Sequence, residues 1–424
     1  MRLFQTQKNL LTEAVRWPAG GLLKASSPTD PSQYLVVKTA GKKLEVVLTS
    51  QEISIKVVID KAGDLLKVDS DGTFVLKGDV LKEILARSTV MDMVNIDFDK
   101  TAAGETVKGA KPEDAPVVLL GNWVLSWNNS LNGKEEWAIP VVDTASIDVP
   151  TNPAIDLKGK NRLTVNAGEF AKHIRQVGIA VGKDLGDTKF RNVMVRTSKN
   201  ANMTLYEVAA TNKYQLAIVK AEAASASDDF SMNIPYSAAF LASRLLNPEQ
   251  NVEIIYNEGS PGTAVFSQDI VYGGDTVVGA VYFRITCSNE AFAKFEKGIK
   301  SLSYRNVCKM KTQQIKPLCN KLEIFQPAKT EVVLDTKQKA LFFSKKEAGR
   351  GASKGLALPI TDIEGDDFDF DISSQFLTQA VNNAETDEII WKFSGKQSLT
   401  CMILSPNLTV YFPPMIIQQA NDEA

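Results

Sequence analysis

Six times along the chain, a short run of alternating apolar and polar residues gives way to apolar positions spaced three and four apart. The copies read RLFQTQKNLLTEAV from Arg2, TFVLKGDVLKEIL from Thr73, RLTVNAGEFAKHI from Arg162, FSMNIPYSAAFLASRLL from Phe230 and FDFDISSQFLTQAV from Phe368, with a weaker copy, NVCKMKTQQIKPLCNKL, from Asn306. Alternation predicts a strand with one buried face, and the three-and-four spacing predicts an amphipathic helix. The starts lie roughly 60 to 90 residues apart, and a supersecondary unit that recurs at a long period marks an array built by stacking or ring closure.

The spacing predicts helices near Asn9–Arg16, Asp79–Arg87, Gly168–Val181 and Tyr236–Leu246, one in the weaker copy, and a last one capped by Ser373 or Ser374. Strands are predicted between them, among them Tyr34–Lys38, Lys43–Leu48, Glu52–Ile59, Pro116–Leu120, Trp123–Trp127, Met203–Ala210, Gln215–Lys220, Ala264–Gln268, Ile270–Gly273 and Leu408–Tyr411. The polar stretch TAAGETVKGAKPEDAP, about 101–116, reads as a long surface loop, and IDVPTNPAIDLKGKN from Ile147 as a linker. Taken in pairs, the copies give three domains over 1–150, 161–290 and 304–417, with a polar tail over 418–424. Each half-domain is one helix plus about four strands, so the fold class is α+β, with two helices per domain packed on antiparallel sheets. Strands at domain ends would be open edges unless they pair across a boundary.

Composition removes several classes of function. The 424 residues are 44% hydrophobic and 23% charged, with no apolar run long enough to span a bilayer and no secretory pattern at the start. Such a chain is expected in the cytoplasm. A net charge of −2 argues against a chain that is basic throughout but permits a local basic stripe. Cys287, Cys308, Cys319 and Cys401 form no CxxC pair and read as reduced thiols. The single histidine, His173, removes most triad and His-ligated metal chemistry. It sits in a helical pattern with Phe170, Ile174 and Val177, which predicts a helix-surface or structural role. No GxxxxGK[ST] loop is present, so ATP hydrolysis is not supported. The acidic EGDDFDFD from Glu364 lacks calcium-loop spacing and reads as a solvated approach to the last helix.

Several segments resemble one family when taken in order. LYEVAATNKYQLAIVKA from Leu205, SMNIPYSAAFLASRLL followed by NVEIIYN, AVFSQDIVYGGDTVVGAVYFRI and LTVYFPPMII are similar to segments of the bacterial DNA polymerase III beta subunit, the sliding clamp. The resemblance runs from Arg2 to Ile417 and is weakest in the first half of the third domain. It implies three repeated DNA-clamp domains that form a ring, no catalysis, no cofactor and no metal. It implies as partners double-stranded DNA without sequence preference, a DNA polymerase, a clamp loader, other proteins with clamp-binding motifs, and a second copy in a homodimer. The chain departs from the family at Lys213, Tyr214 and Gln215, where Gly, His and Arg are favoured, and at Arg284 in place of a proline. These departures suit a divergent member, such as a phage or plasmid encodes, and leave the partner peptide open.

Two sets of site residues follow from the resemblance. Cations on or beside the helices would face DNA phosphate: Lys8, Arg16, Lys24, Lys82, Arg87, Lys172, Arg175, Lys183, Lys189, Arg191, Arg244, Lys309, Lys316 and Lys321. The alternative is a solvated helix face, the usual place of lysines. The second set is a partner-peptide pocket from Val193, Thr211, Lys213, Tyr214, Gln215 and Leu216 with Tyr411, Phe412, Pro413, Pro414, Met415 and Ile416. The alternative is that the C-terminal apolar run only caps the third domain's core. Two other functions stay open: a scaffold protein that keeps the fold without DNA, and an enzyme with a carboxylate site, against which the single histidine counts.

Overall fold

The computed structural model describes residues 1–414 apart from 24–28, 51, 89–92, 108–116, 130–132, 148–152, 154, 184–187, 201–202, 325–328, 348–350 and 396–397. Lys24, Met415, Ile416, the tail and most of the long loop therefore lie outside the described residues.

Each of the six predicted helices is present: α1 (Lys8–Gly20), α2 (Gly78–Arg87), α3 (Ala167–Val177), α4 (Tyr236–Leu245), and, after a short α5 (Glu296–Lys300), α6 (Thr312–Leu322) and α7 (Ser374–Asn382). α1 runs four residues past its predicted end, and Pro18 in that last turn is buried with Trp17 and Ala19. α3 stops at Val177 and continues as a 3-10 turn, Gly178–Ala180, rather than as α-helix to Val181. α7 is capped as predicted, with the Ser373 hydroxyl accepting from the Phe376 amide at 3.4 Å.

The chain packs as two compact units, residues 1–168 with 237–287, and residues 169–236 with 288–424. Residues 161–290, read above as one domain, contribute to both. In the first unit a long sheet runs in the order Asn161–Asn166, Asn251–Asn257, Thr263–Tyr272, Thr276–Thr286, Ile53–Ile59, Lys43–Thr49, Tyr34–Ala40, Gly72–Lys77, Gly133–Val142, Val117–Asn129, Met93–Asp99, Arg2–Gln7 and Leu66–Val68. In the second unit a nine-stranded sheet runs Ser231–Pro235, Asn192–Asn200, Met203–Thr211, Leu216–Glu222, Leu408–Phe412, Thr400–Ile403, Glu388–Phe393, Asn306–Lys311 and Asp362–Glu364. A separate four-stranded sheet holds Gly351–Pro359, Ala340–Glu347, Lys329–Asp335 and Phe368–Ser373. The acidic EGDDFDFD segment is thus largely strand, with only its centre a turn.

Each unit contains one seam where strands distant in sequence complete a sheet. Thr276–Thr286 pairs antiparallel with Ile53–Ile59, with Phe283 opposite Ile55. Leu408–Phe412 pairs antiparallel with Leu216–Glu222, with Tyr411 opposite Leu216. At the first seam Gly279 comes so close that a Cβ there would stand 2.0 Å from the Val58 carbonyl oxygen, so only glycine fits.

The cores follow from the alternation. In the first unit Trp123 is fully buried, with Phe4 at 5.5 Å and Phe74 at 5.9 Å between ring centroids. In the second, Phe370 stands 4.9 Å from Phe393 and 5.6 Å from Trp391. All four cysteines are free and buried. Burial pushes the Cys308 and Cys319 thiols up to about 12, which makes them poor nucleophiles. His173 is 2% exposed and its Nδ1 lies 2.6 Å from the Tyr206 hydroxyl. It is a core histidine rather than a surface one.

Burial lowers His173 from 6.5 to about 4, against the opposing pull of Glu169. The unfolded chain takes up this proton below about pH 6.5 and the folded chain does not until about pH 4, so stability falls as pH drops through that window, by about 3 kcal/mol in all. Urea unfolding between pH 7 and pH 4 should show this loss, and His173→Gln, which keeps an acceptor for Tyr206, should flatten it.

Candidate functional site

The strands Met203–Thr211 and Leu216–Glu222 are joined by turn 212–215, which is held by its own side chains. The Asn212 carboxamide oxygen accepts from the Gln215 amide at 2.7 Å and the Tyr214 amide at 3.1 Å. The Thr211 hydroxyl donates to the Gln215 carbonyl at 2.8 Å. Lys213 takes φ +78°, the left-handed region that glycine occupies without steric cost. The resemblance places a glycine at this position, and the backbone keeps the glycine conformation although the residue is lysine.

The turn forms one wall of a groove of about 300 Å³. The groove is also lined by Gln375, Phe376 and Gln379 at the start of α7 and by Ile179, Val181, Lys183 and Phe190. Tyr214, 62% exposed, stacks on Phe376 at 6.5 Å and 24°. The ammonium groups of Lys213 and Lys189 stand 5.1 and 4.9 Å from the Phe190 ring centroid. An aromatic floor with a cationic rim suits a peptide that carries apolar side chains and negative charge.

On the other side of the turn, one face of the nine-stranded sheet carries Met194, Ala209, Leu216 and Ile218, and Phe292, Phe295, Ile299 and Tyr411 pack against it. The three residues from Phe292 to Ile299 sit on a strap fastened by charge. Arg196 reaches Glu207 at 2.8 Å and Glu296 at 2.5 Å, and Lys220 reaches Glu207 at 3.5 Å. Burial works against the Arg196 guanidinium, but Glu207 and Glu296 outweigh it and its pKa is raised. Sequence reasoning missed this strap and α5, although Phe292, Phe295 and Ile299 already stood at helical spacing in SNEAFAKFEKGI.

The structure sorts the expected pocket residues. Lys213 and Tyr214 line the groove, while Leu216 and Tyr411 lie on the strap-covered face. Val193 and Phe412 are corrections. Both are fully buried, because each is one residue out of step with the outer face and alternation turns it to the opposite side. Gln215 is 1% exposed, and among the described residues neither atom of its carboxamide has a hydrogen-bond partner. Pro413 is half-buried and Pro414 buried. Arg284 belongs to the other compact unit, mid-strand opposite Ser54 and Val265.

The expected DNA-facing cations separate by what holds them. Lys8 donates to the Ser88 carbonyl and Lys316 to the Ala384 carbonyl at 3.0 Å, and Lys172 pairs with Glu385 at 2.5 Å. Lys309 stands on strand Asn306–Lys311, not on a helix, and is tied to Asp362 at 2.9 Å. Arg16 and Arg87 make pairs within their own helices, with Glu13 and Glu83. Lys82, Arg175, Arg244 and Lys321 are exposed on α2, α3, α4 and α6, Lys183 and Lys189 are exposed beyond α3, and Arg191 is half-buried.

Among the described residues no group of three or more metal-ligating side chains stands together, and no helix is long and apolar enough to cross a membrane. No protein-family model and no curated relative matches the sequence. Solved structures do match. The DNA polymerase sliding clamp of Bacillus subtilis superposes with a TM-score of 0.78 at 15% identity, covering 98% of this chain and 99% of that one. The DNA polymerase III subunit beta of Pseudomonas aeruginosa gives 0.77 at 12%, and that of Thermotoga maritima 0.75 at 11%, each covering 98% of this chain and 100% of the other. The chain has the fold of these clamps over its whole length, reached with a largely different set of residues.

Lys213→Gly removes the left-handed strain and should raise stability by about 0.5 kcal/mol after glycine's own entropic cost. A higher urea midpoint at unchanged slope reports that gain.

Proposed function

We propose that the chain is a processivity clamp: a non-catalytic ring that encircles duplex DNA and tethers a replicative polymerase through the groove at turn 212–215. The observation that carries this reading is the clamp fold over 98% of the chain, joined to an aromatic groove at the turn where the sequence resembles the family. Three domains over 1–150, 161–290 and 304–417 would give six in a head-to-tail pair of chains, a closed arrangement with rotational symmetry. DNA would be held by linkage, with weak contacts from helix cations to phosphate and none to bases, since strong base contacts would stop sliding. Lys82, Arg175, Arg244 and Lys321, exposed on their helices, are the cations this reading assigns to those contacts. A clamp loader would open and close the ring, and other proteins with short docking motifs would share the groove. The second reading, a scaffold that keeps the fold without DNA, is supported by the several expected cations already engaged within the protein.

Loaded onto a nicked circle by its loader, the protein should stay with the DNA through gel filtration and be lost once the circle is linearised. Equal loss from both favours the scaffold. Replacing Lys82, Arg175, Arg244 and Lys321 together by glutamate removes about eight phosphate contacts from the two-chain ring and should lower the slope of log K against log salt on duplex DNA by up to about 7. An unchanged slope means these side chains do not meet phosphate.

Tyr214→Ala and Phe376→Ala should each weaken binding of the cognate polymerase about tenfold with little change in melting temperature, as expected of aromatic anchors. Binding that survives both substitutions moves the docking site elsewhere.

A further inference from the structure

The groove at turn 212–215 has a counterpart in the other compact unit. A groove of about 690 Å³ is lined by Gly21 and Leu23 beyond α1, by Asp30, Pro31 and Ser32 at the 3-10 helix Pro31–Gln33, by Ser50, Glu52 and Ile53 between two strands, and by the start of α4. The first groove lies between the chain that follows α3, the 3-10 helix Thr188–Arg191, the turn joining Met203–Thr211 to Leu216–Glu222, and the start of α7. The correspondence reaches single helix positions. The second, third and sixth residues of α7, Gln375, Phe376 and Gln379, form one wall, and the second, third and sixth residues of α4, Ser237, Ala238 and Leu241, form the other. Both turns are also closed in one way. Ser50 donates its amide to the Ile53 carbonyl at 2.8 Å, as Asn212 does to Gln215 at 3.2 Å. The recurring strand–helix unit has thus built the same concavity twice.

The two grooves differ in chemistry. Ala238 stands where α7 has Phe376, so the aromatic floor is missing and the space is larger. The charge is reversed. Lys183 and Lys213 rim the first groove, while Asp30 and Glu52 rim the second, with no Lys or Arg among its described lining residues. Both carboxylates are held in place. Asp30 accepts from the Ser32 amide at 2.9 Å and hydroxyl at 2.7 Å, and Glu52 accepts from the Ser237 hydroxyl. Leu23, 58% exposed, and Leu241 supply apolar surface beside these charges.

We propose that this groove docks a short segment of a partner protein that carries apolar side chains beside lysine or arginine. It would be a second docking site, opposite in charge preference to the first, so one chain could hold two partners with different motifs. The inference rests on reading the first groove as a peptide dock.

The test uses the full-length protein and two fluorescein-labelled probes, Gly-Lys-Leu-Leu-Lys-Phe-Gly and the same peptide with glutamate for both lysines. In the Phe376→Ala protein, whose first groove has lost its aromatic floor, anisotropy should show the lysine peptide binding at least about fivefold tighter than its glutamate form. Ala238→Phe, which fills the groove, should weaken the lysine peptide about tenfold, and Glu52→Gln about threefold, while Phe376→Ala leaves it unchanged. Thermal melting reports the fold of each variant, and Leu241→Gln replaces Ala238→Phe if the phenylalanine does not fit. Equal affinity for the two peptides in the Phe376→Ala protein, indifference to Ala238→Phe and Leu241→Gln, or loss of the lysine peptide through Phe376→Ala would each overturn the proposal. Failure of the first groove as a dock would show separately, as polymerase binding that survives Phe376→Ala.

Discussion

Backbone pairing across two seams sets where the other parts of this protein sit. Strand Thr276–Thr286 hydrogen-bonds to Ile53–Ile59 in one unit, and Leu408–Phe412 to Leu216–Glu222 in the other. An unpaired strand edge exposes a row of amides and carbonyls and invites aggregation, so each ladder removes a hazard as well as adding contacts. The pairing also fixes register. Because side chains alternate, setting Tyr411 opposite Leu216 puts both on one face and sends Phe412 to the other. Gly279 shows how tight the first seam is, since no side chain fits between it and the Val58 carbonyl.

Both grooves are consequences of this arrangement. Each lies where the turn leading into a seam strand meets the first turns of a helix from a later part of the chain. Turn 212–215 is held by its own hydrogen bonds, and the Ser50 amide bonds to the Ile53 carbonyl at the other groove. What differs is the side chains the helices bring, Phe376 in one case and Ala238 in the other. A repeated backbone thus offers two concave sites whose chemistry was free to diverge, which is how a repetitive fold acquires distinct partners without a change of architecture.

The helices were legible because their apolar spacing is strong and burial follows it, as with Phe170, Ile174 and Val177 in α3. The Ser373 cap was legible for the same local reason. The strap from Phe292 to Ile299 was missed despite its helical spacing, because its helix is only five residues long and its partners, Arg196 and a sheet face, lie far away in sequence. The resemblance of their segment to a known turn named Lys213 and Tyr214, which line the groove, but it could not name Phe190 and Phe376 beside them, since nothing in sequence links these to position 214. Val193 and Phe412 were misplaced because nearness in sequence to pocket residues says nothing about which face of a strand they occupy.

By itself the sequence determined the repeating strand–helix unit, the α+β class and the segment that bears the groove's turn. These rest on local periodicity and on residue types, which act over a few neighbouring positions. The tertiary structure decided which strands close the two seams, which cations remain free of carboxylates and carbonyls, and which helix residues meet each turn. Those outcomes depend on pairings between segments about two hundred residues apart or more, whose register is set by backbone hydrogen bonding and burial together rather than by any local pattern.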